Sequence, residues 1–95
     1  MADTAVPSVQ CDNDRTRVTE WRFAPGATTG WHRHEYDYVI VPITSGLLGL
    51  TGPDGTVTQA ELQAGVSYFR EAGVEHDVQN INDFEFSCVE GEFKK

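Results

Sequence analysis

Turn-forming residues interrupt this chain about every eight to twelve residues, and no segment between them shows a helical period of useful length. The segments are instead short alternating runs that are rich in β-branched and aromatic residues. Strands are predicted at residues 17–23, 31–43, 47–51, 56–62, 66–70, 76–80 and 84–89. Because such strands and tight turns leave no room for crossover helices, an all-β antiparallel β-sandwich or jelly-roll barrel is the predicted fold.

The 95 residues are enough for one domain. We assign it to residues 15–92, with an N-terminal arm or edge strand over 1–14 and a frayed C-terminus over 93–95. A chain of this length buries a modest core, so a bound metal or a second subunit would add stability. Four aromatic side chains are expected to wall the interior: Trp21, Phe23, Phe69 and Phe86.

The net charge and the N-terminal sequence limit which partners and which cellular location are expected. Fifteen Asp and Glu against seven Lys and Arg give a formal net charge of −8, so no nucleic acid and no membrane surface is expected as a partner. The N-terminus lacks the apolar run of a signal peptide, and no segment approaches the roughly twenty apolar residues that cross a bilayer. The cytoplasm is the expected location, and Cys11 and Cys88 are expected to be free thiols there.

The three histidines are the candidate metal ligands. His32 and His34 are two apart on a predicted strand, so their side chains project from one face and can bind one ion through bonds of roughly 2.0–2.1 Å. His76 opens another short strand just after Gly73. In a sandwich that strand could pair beside the first and supply a third nitrogen. An H-x-H spacing alone is common by chance, so the interpretation depends on the glycines around it.

Glycines frame both histidine segments. The first reads G-x5-H-x-H-x11-G from Gly26 to Gly46, and the second reads G-x7-G-x2-H-x3-N from Gly65 to Asn80. These segments resemble the two-part signature of the cupin superfamily, G-x5-H-x-H-x3–4-E-x6-G and G-x5-P-x-G-x2-H-x3-N. The resemblance covers more than half of the chain. It implies a small single-domain jelly-roll cupin that holds one divalent metal ion on the three histidines.

Two positions depart from the signature. Glu71 stands where the family usually has proline, which alters a turn and touches no ligand position. The family's glutamate ligand should fall at Tyr38 or Val39, and neither can bind as a carboxylate. Asp37 could reach the metal only if a bulge shifts the strand register, and otherwise water would complete the coordination.

Three neutral imidazoles leave an ion with its full 2+ charge and with open positions, as in a catalytic rather than a closed structural site. Iron, zinc, nickel, manganese and copper all suit such ligands. Continued alternation puts Tyr36 and Tyr38 on the histidine face, where a phenol can donate a hydrogen bond or act as an acid. Arg70 could pair with a substrate carboxylate. These three are the candidate catalytic residues.

The resemblance implies a metal-dependent enzyme, either a dioxygenase or a lyase/isomerase, with a small polar metabolite as substrate. Over residues 31–43 and 65–80 the chain also looks like small cupins associated with the catabolism of β-alanine and related amino acids. Two alternatives stay open, since fold does not decide function. One is a cupin that binds or senses a small ligand without turnover, and the other is a degenerate cupin that has lost its metal.

A homodimer is predicted, because the exposed sheet edge of a small sandwich can pair with a second copy. The N-terminal arm could also be exchanged between the two partners. Gel filtration coupled to light scattering checks this prediction, with a mass near that of two chains as the expected result. A monomer at every concentration would contradict it.

Overall fold

The computed structural model describes residues 3–94, which form two antiparallel β-sheets. The strands are β1 (Val6–Asp12), β2 (Thr16–Phe23), β3 (His32–Arg33), β4 (Asp37–Pro42), β5 (Gly46–Thr51), β6 (Val57–Leu62), β7 (Tyr68–Arg70), β8 (Glu75–Asn80) and β9 (Phe86–Phe93). One sheet has five strands in the order β1-β2-β9-β4-β7, and the other has four in the order β3-β8-β5-β6. The predicted all-β sandwich is confirmed. Among residues 3–94, no helix is long and apolar enough to span a membrane.

Both ends of the described chain belong to the five-stranded sheet, with β1 at its edge and β9 at its centre. Part of the predicted N-terminal arm forms β1, an edge strand that is exposed throughout. The predicted fraying does not extend to Phe93, which pairs with Thr16, or to Lys94, whose ammonium lies 2.6 Å from Asp12. A backbone hydrogen bond of 2.7 Å from Lys94 to the carbonyl of Arg15 also holds this end. The predictions for residues 1, 2 and 95 lie outside the described residues.

The strand predicted over residues 31–43 is two strands that belong to different sheets. β3 pairs with β8, whereas β4 pairs with β9 and β7. Between them, His34 forms hydrogen bonds with the turn before β8: its N–H donates to Val74 (2.9 Å) and its carbonyl accepts from Gly73 (2.8 Å). These hydrogen bonds stand in place of continuous strand pairing. At this point the chain passes from one sheet to the other.

Side chains from the two sheets meet in the core. Phe23 and Phe86 are buried, as predicted, and their rings pack edge to face with centroids 6.1 Å apart. Trp21 packs against the same cluster while remaining partly exposed. The prediction for Phe69 is wrong: this side chain is 51% exposed. Phe69 pairs with Val39, whose neighbours in β4 are the ones that face inward, so both side chains lie on the outer face.

The two cysteines are free, as predicted. Burial, together with the nearby charge of Glu90, raises the pKa of Cys88 to about 12, so its thiol is protonated at neutral pH. Cys11 is exposed on the edge strand. Neither belongs to the group of candidate metal ligands among the described residues.

Apolar side chains are exposed on the outer face of the five-stranded sheet. Val41, Phe69 and Phe93 are 37%, 51% and 44% exposed, and they come from the adjacent strands β4, β7 and β9. An exposed edge strand and an apolar outer face are both features that pairing with a second copy would cover. The homodimer stays a prediction.

Asn80, the last residue of the second motif, connects three segments of the chain. Its side chain is fully buried, and Nδ2 donates to the carbonyls of Phe23 (3.0 Å) and Phe84 (2.8 Å). Oδ1 accepts from the N–H of Asn82 at 2.9 Å. One amide thus satisfies backbone groups at the end of β2, in the turn after β8 and just before β9, where the two sheets meet.

Replacing Asn80 by alanine should destabilise the protein strongly, because buried backbone groups would lose their partners. We expect the free energy of unfolding to fall by about 3 kcal/mol in urea denaturation. Gln59→Ala, at an exposed position of β6, is the control and should change it by less than about 0.5 kcal/mol. A loss for Asn80→Ala no larger than the control's would contradict the connecting role.

Candidate metal centre

The structure brings the three predicted ligands together. His32 and His76 are direct cross-strand partners in β3 and β8, and His34 follows two residues after His32. Nε2 of His34 lies 3.0 Å from Nε2 of His32 and 3.1 Å from Nε2 of His76. All three side chains are partly buried. Among residues 3–94 they are the group of side chains placed to share a metal ion.

Two glycine turns place these histidines. Gly30 has a φ of 78° and Gly73 a φ of 101°, a left-handed conformation that costs other residues energy. Gly30 turns the chain into His32, and Gly73 turns it into the start of β8, where its N–H donates to the carbonyl of His34. Gly73 is one of the glycines of the second motif, whereas Gly30 lies within the x5 segment of the first motif and is not part of its signature.

Hydrogen bonds at Nδ1 fix the tautomers of two of the imidazoles. Nδ1 of His32 lies 3.0 Å from the carbonyl oxygen of Gly30, which can only accept, so this nitrogen carries the proton. Nδ1 of His34 lies 3.2 Å from a carboxylate oxygen of Glu90 and is protonated for the same reason. In the neutral rings both Nε2 atoms then carry lone pairs, and they face each other at 3.0 Å. Such lone pairs repel unless a cation lies between them.

The third imidazole is neutral at physiological pH. Burial, followed by the neighbouring His32 and His34, lowers the pKa of His76 to about 4. Its ring therefore offers an unprotonated nitrogen, as metal ligation requires.

The spacing of the nitrogens fits a divalent transition metal. Two nitrogens 3.0 Å apart are close enough to bind one ion through bonds of about 2.1 Å. His32, His34 and His76 would hold such an ion, which would keep other positions for water or substrate. Asp37 does not join the cluster, because its carboxylate is exposed and accepts a hydrogen bond of 2.8 Å from the N–H of Ala72.

The histidines line a cavity of about 910 Å³ that extends into the barrel. Much of its wall is apolar and includes Ile40, Leu48, Leu50, Leu62 and Val78. Polar side chains of the five-stranded sheet also line it, including Tyr38, Tyr68, Arg70 and Glu90. The cavity is large enough for a small metabolite beside the histidines.

The candidate catalytic residues have different surroundings. Tyr38 is buried, and its ring stacks on His34 with centroids 3.9 Å apart; burial, followed by neighbouring Tyr68 and Glu90, raises its pKa to about 12. Arg70 is the cross-strand partner of Tyr38, and its guanidinium lies over the ring of Tyr68 at 4.6 Å. The structure brings both residues to the cavity.

Tyr36 is the exception among the candidates. It does not line the cavity, and its ring lies against Arg17, whose guanidinium carbon is 6.0 Å from the ring centroid. The alternation that predicted its position is interrupted, because β3 ends at Arg33 and β4 begins at Asp37.

The sequence analysis missed Glu90. This residue is only 6% exposed, and its second carboxylate oxygen accepts a hydrogen bond of 3.1 Å from Nε1 of Trp21. The predicted last strand stopped at residue 89. Extending the alternation of Phe86 and Cys88 by one more step predicts an inward-facing carboxylate at position 90.

The geometry agrees with comparisons to known proteins. Residues 19–90 match a family model described as a cupin domain. The beta-alanine degradation protein BauB of Pseudomonas aeruginosa is 58% identical over 90 residues, which cover 95% of this chain and 94% of that protein. A cupin domain protein of Bordetella pertussis Tohama I has a structure with a TM-score of 0.97 at 54% identity, covering 100% of this chain and 98% of that one.

A more distant structure shares the fold alone. It is a protein of Klebsiella pneumoniae with a double-stranded β-helix domain, and it gives a TM-score of 0.78 at 24% identity over 96% of this chain and 77% of that one. The segment that matches the family model spans most of the chain and contains all three histidines and both glycine-framed motifs. The chain therefore belongs to the cupin domain family.

Proposed function

We propose that this protein is a small metal-dependent enzyme in which His32, His34 and His76 hold one divalent ion at the wall of the cavity. The observation that supports the metal most directly is the pair of Nε2 lone pairs facing each other at 3.0 Å. Both Nδ1 protons are engaged by oxygens that can only accept, so neither nitrogen can turn this contact into a hydrogen bond in the neutral rings. A cation relieves that repulsion.

The proposed reaction is that of a dioxygenase or of a lyase/isomerase. When bound, the ion would supply Lewis-acid polarisation of a substrate oxygen at its open positions. Tyr38 is the residue beside His34 that would hold a proton near the reacting group, since its raised pKa keeps the phenol protonated at neutral pH. The apolar wall of the cavity would exclude water from the bound substrate.

The proposed substrate class is a small carboxylate. Among residues 3–94, Arg70 lines the cavity without forming an ion pair with a carboxylate of the chain. Its only described hydrogen-bond acceptor is the carbonyl of Phe69 at 2.9 Å, which leaves other guanidinium N–H groups for a ligand. The relative named for β-alanine degradation points to the same class, because β-alanine carries a carboxylate. We also retain the cytoplasm as the proposed location.

The purified protein should contain close to one divalent metal ion per chain, since three converging neutral imidazoles form a strong site. Inductively coupled plasma mass spectrometry measures this, before and after incubation with iron, zinc, nickel and manganese. The control is His32→Ala/His34→Ala, which keeps His76 and should bind less than about a tenth of an equivalent.

No metal in the wild-type protein after these incubations would overturn the metal site and favour a cupin that has lost its metal. Metal that binds without any oxygen uptake or substrate conversion, in screens of small carboxylates, would instead favour a cupin that binds or senses a ligand. Stoichiometric metal with turnover is the expected result.

Removing the charge of Arg70 should weaken the binding of small carboxylates. Calorimetric titration of the zinc-loaded protein with propionate should give a dissociation constant about tenfold higher for Arg70→Gln than for the wild type. Propionamide, which has the same shape without the charge, should not distinguish the two proteins. Arg15→Gln is the matched control, because Arg15 is exposed and does not line the cavity. Equal propionate affinity in Arg70→Gln and wild type would contradict the assignment.

A further inference from the structure

Glu90 is a buried carboxylate whose two oxygens have separate partners. Oε2 lies 3.2 Å from Nδ1 of His34, and Oε1 accepts from Nε1 of Trp21 at 3.1 Å. The residue is 6% exposed on the inner face of β9. Both bonds come from side chains that are themselves packed in the barrel, so the carboxylate is held in one orientation.

The carboxylate has no cation among the described residues. The hydrogen bonds from Nδ1 of His34 and Nε1 of Trp21 reach one oxygen each, and both donors stabilise the ionised carboxylate. No lysine or arginine of residues 3–94 forms an ion pair with it. A buried charge is normally paired or associated with a metal, because an isolated one is costly.

The next inward residue of the same strand shows the contrast. Glu92 is 7% exposed, and Arg17 binds both of its oxygens, at 2.7 and 3.1 Å. Its charge is therefore balanced inside the chain. Two equally buried carboxylates two residues apart differ in that one faces a guanidinium and the other faces the imidazole of His34.

The position of Glu90 bears on the glutamate that is missing from the cupin signature. The signature glutamate would fall at Tyr38 or Val39, but here Tyr38 stacks on the ring of His34 instead. Glu90 pairs with Ile40, the residue that follows this region in β4, so the carboxylate approaches His34 from the neighbouring strand. A carboxylate is thus present beside the site, one imidazole away from where an ion would lie, and outside the ligand group.

We propose that Glu90 is a positioning residue of the metal site: it holds His34 in the tautomer whose Nε2 binds the ion, and it supplies the negative charge that the signature glutamate would have supplied as a ligand. This inference rests on the proposed metal site. A carboxylate behind a ligating imidazole orients the ring and makes its far nitrogen a better donor. It also leaves free the coordination position that a glutamate ligand would occupy.

Zinc affinity of Glu90→Gln and Glu92→Gln tests the proposal. Both variants remove a buried carboxylate from the same face of β9, and Glu92→Gln removes the one that Arg17 binds. Competition with a chromophoric chelator should give a zinc dissociation constant 10–100-fold higher for Glu90→Gln and within about twofold of wild type for Glu92→Gln. Urea denaturation of each variant confirms that the comparison is made on folded protein.

The tautomer of His34 gives a readout that does not need a metal. Long-range ¹H–¹⁵N correlation spectra of the chelator-treated protein should show a protonated Nδ1 and an unprotonated Nε2 at His34. In Glu90→Gln the two tautomers should mix, because an amide can accept from or donate to Nδ1. Glu92→Gln should leave the His34 signals unchanged.

The outcomes separate the two proposals. If the wild type binds no zinc, the proposed function fails, while the spectra still report whether Glu90 sets the tautomer. If the wild type binds zinc and Glu90→Gln binds it equally well, the role of Glu90 is overturned and the metal site stands. Should Glu90→Gln fail to fold, Glu90→Asp keeps the charge with a shorter reach, and it should weaken zinc binding more than Glu92→Asp does.

Discussion

The site depends on one unfavourable contact, the approach of unprotonated imidazole nitrogens to within 3.0 Å of one another. The Nδ1 protons of His32 and His34 point away from the cluster to Gly30 and Glu90, so neither proton lies between these two Nε2 atoms. Placing these atoms so close together destabilises the folded protein unless a cation lies between them. The third imidazole joins this pair because His32 and His76 are cross-strand partners in β3 and β8, which sets their ring centroids 4.7 Å apart.

The surrounding barrel is arranged to keep that register. β3 has only two residues, too few to be stable alone, so the backbone bonds of His34 to the turn before β8 extend its attachment. Asn80, at the far end of β8, fixes the same strand to the segments before β9 and after β2. On the opposite wall, Tyr38 and Glu90 of the five-stranded sheet contact the two accessible sides of His34, its ring face and its Nδ1 edge. The central histidine of the site, which lies between β3 and β4, therefore contacts groups from both sheets.

The sequence predicts those features of the structure that depend on local patterns of residues, and not those that depend on residues distant in the chain. The fold and the three histidines were readable because turn residues, H-x-H spacing and motif glycines are local patterns. The division of residues 31–43 between two sheets was not readable from the sequence. Side chains alternate between inward and outward in the same way whichever sheet a strand joins. Tyr36 was misplaced for that reason, whereas Phe69 was misplaced because alternation along β7 does not tell which face of the strand is inward. Glu90 was missed because a carboxylate at an inward position contradicts hydrophobic patterning, and only its partners His34 and Trp21, distant in sequence, explain it.

The charged groups around the site lie on different sides of it. Three neutral imidazoles would leave an ion at 2+, and the compensating carboxylate of Glu90 lies behind His34 rather than at a coordination position. On the cavity side, the cross-strand pairing of Arg70 with Tyr38 places a guanidinium near the ring that stacks on His34. With the proposed ion bound, the cavity would offer a ligand two positive groups, the ion and the guanidinium of Arg70. In a chain of net charge −8, whose overall field repels anions, the proposed binding of a small carboxylate would depend on these two positive groups.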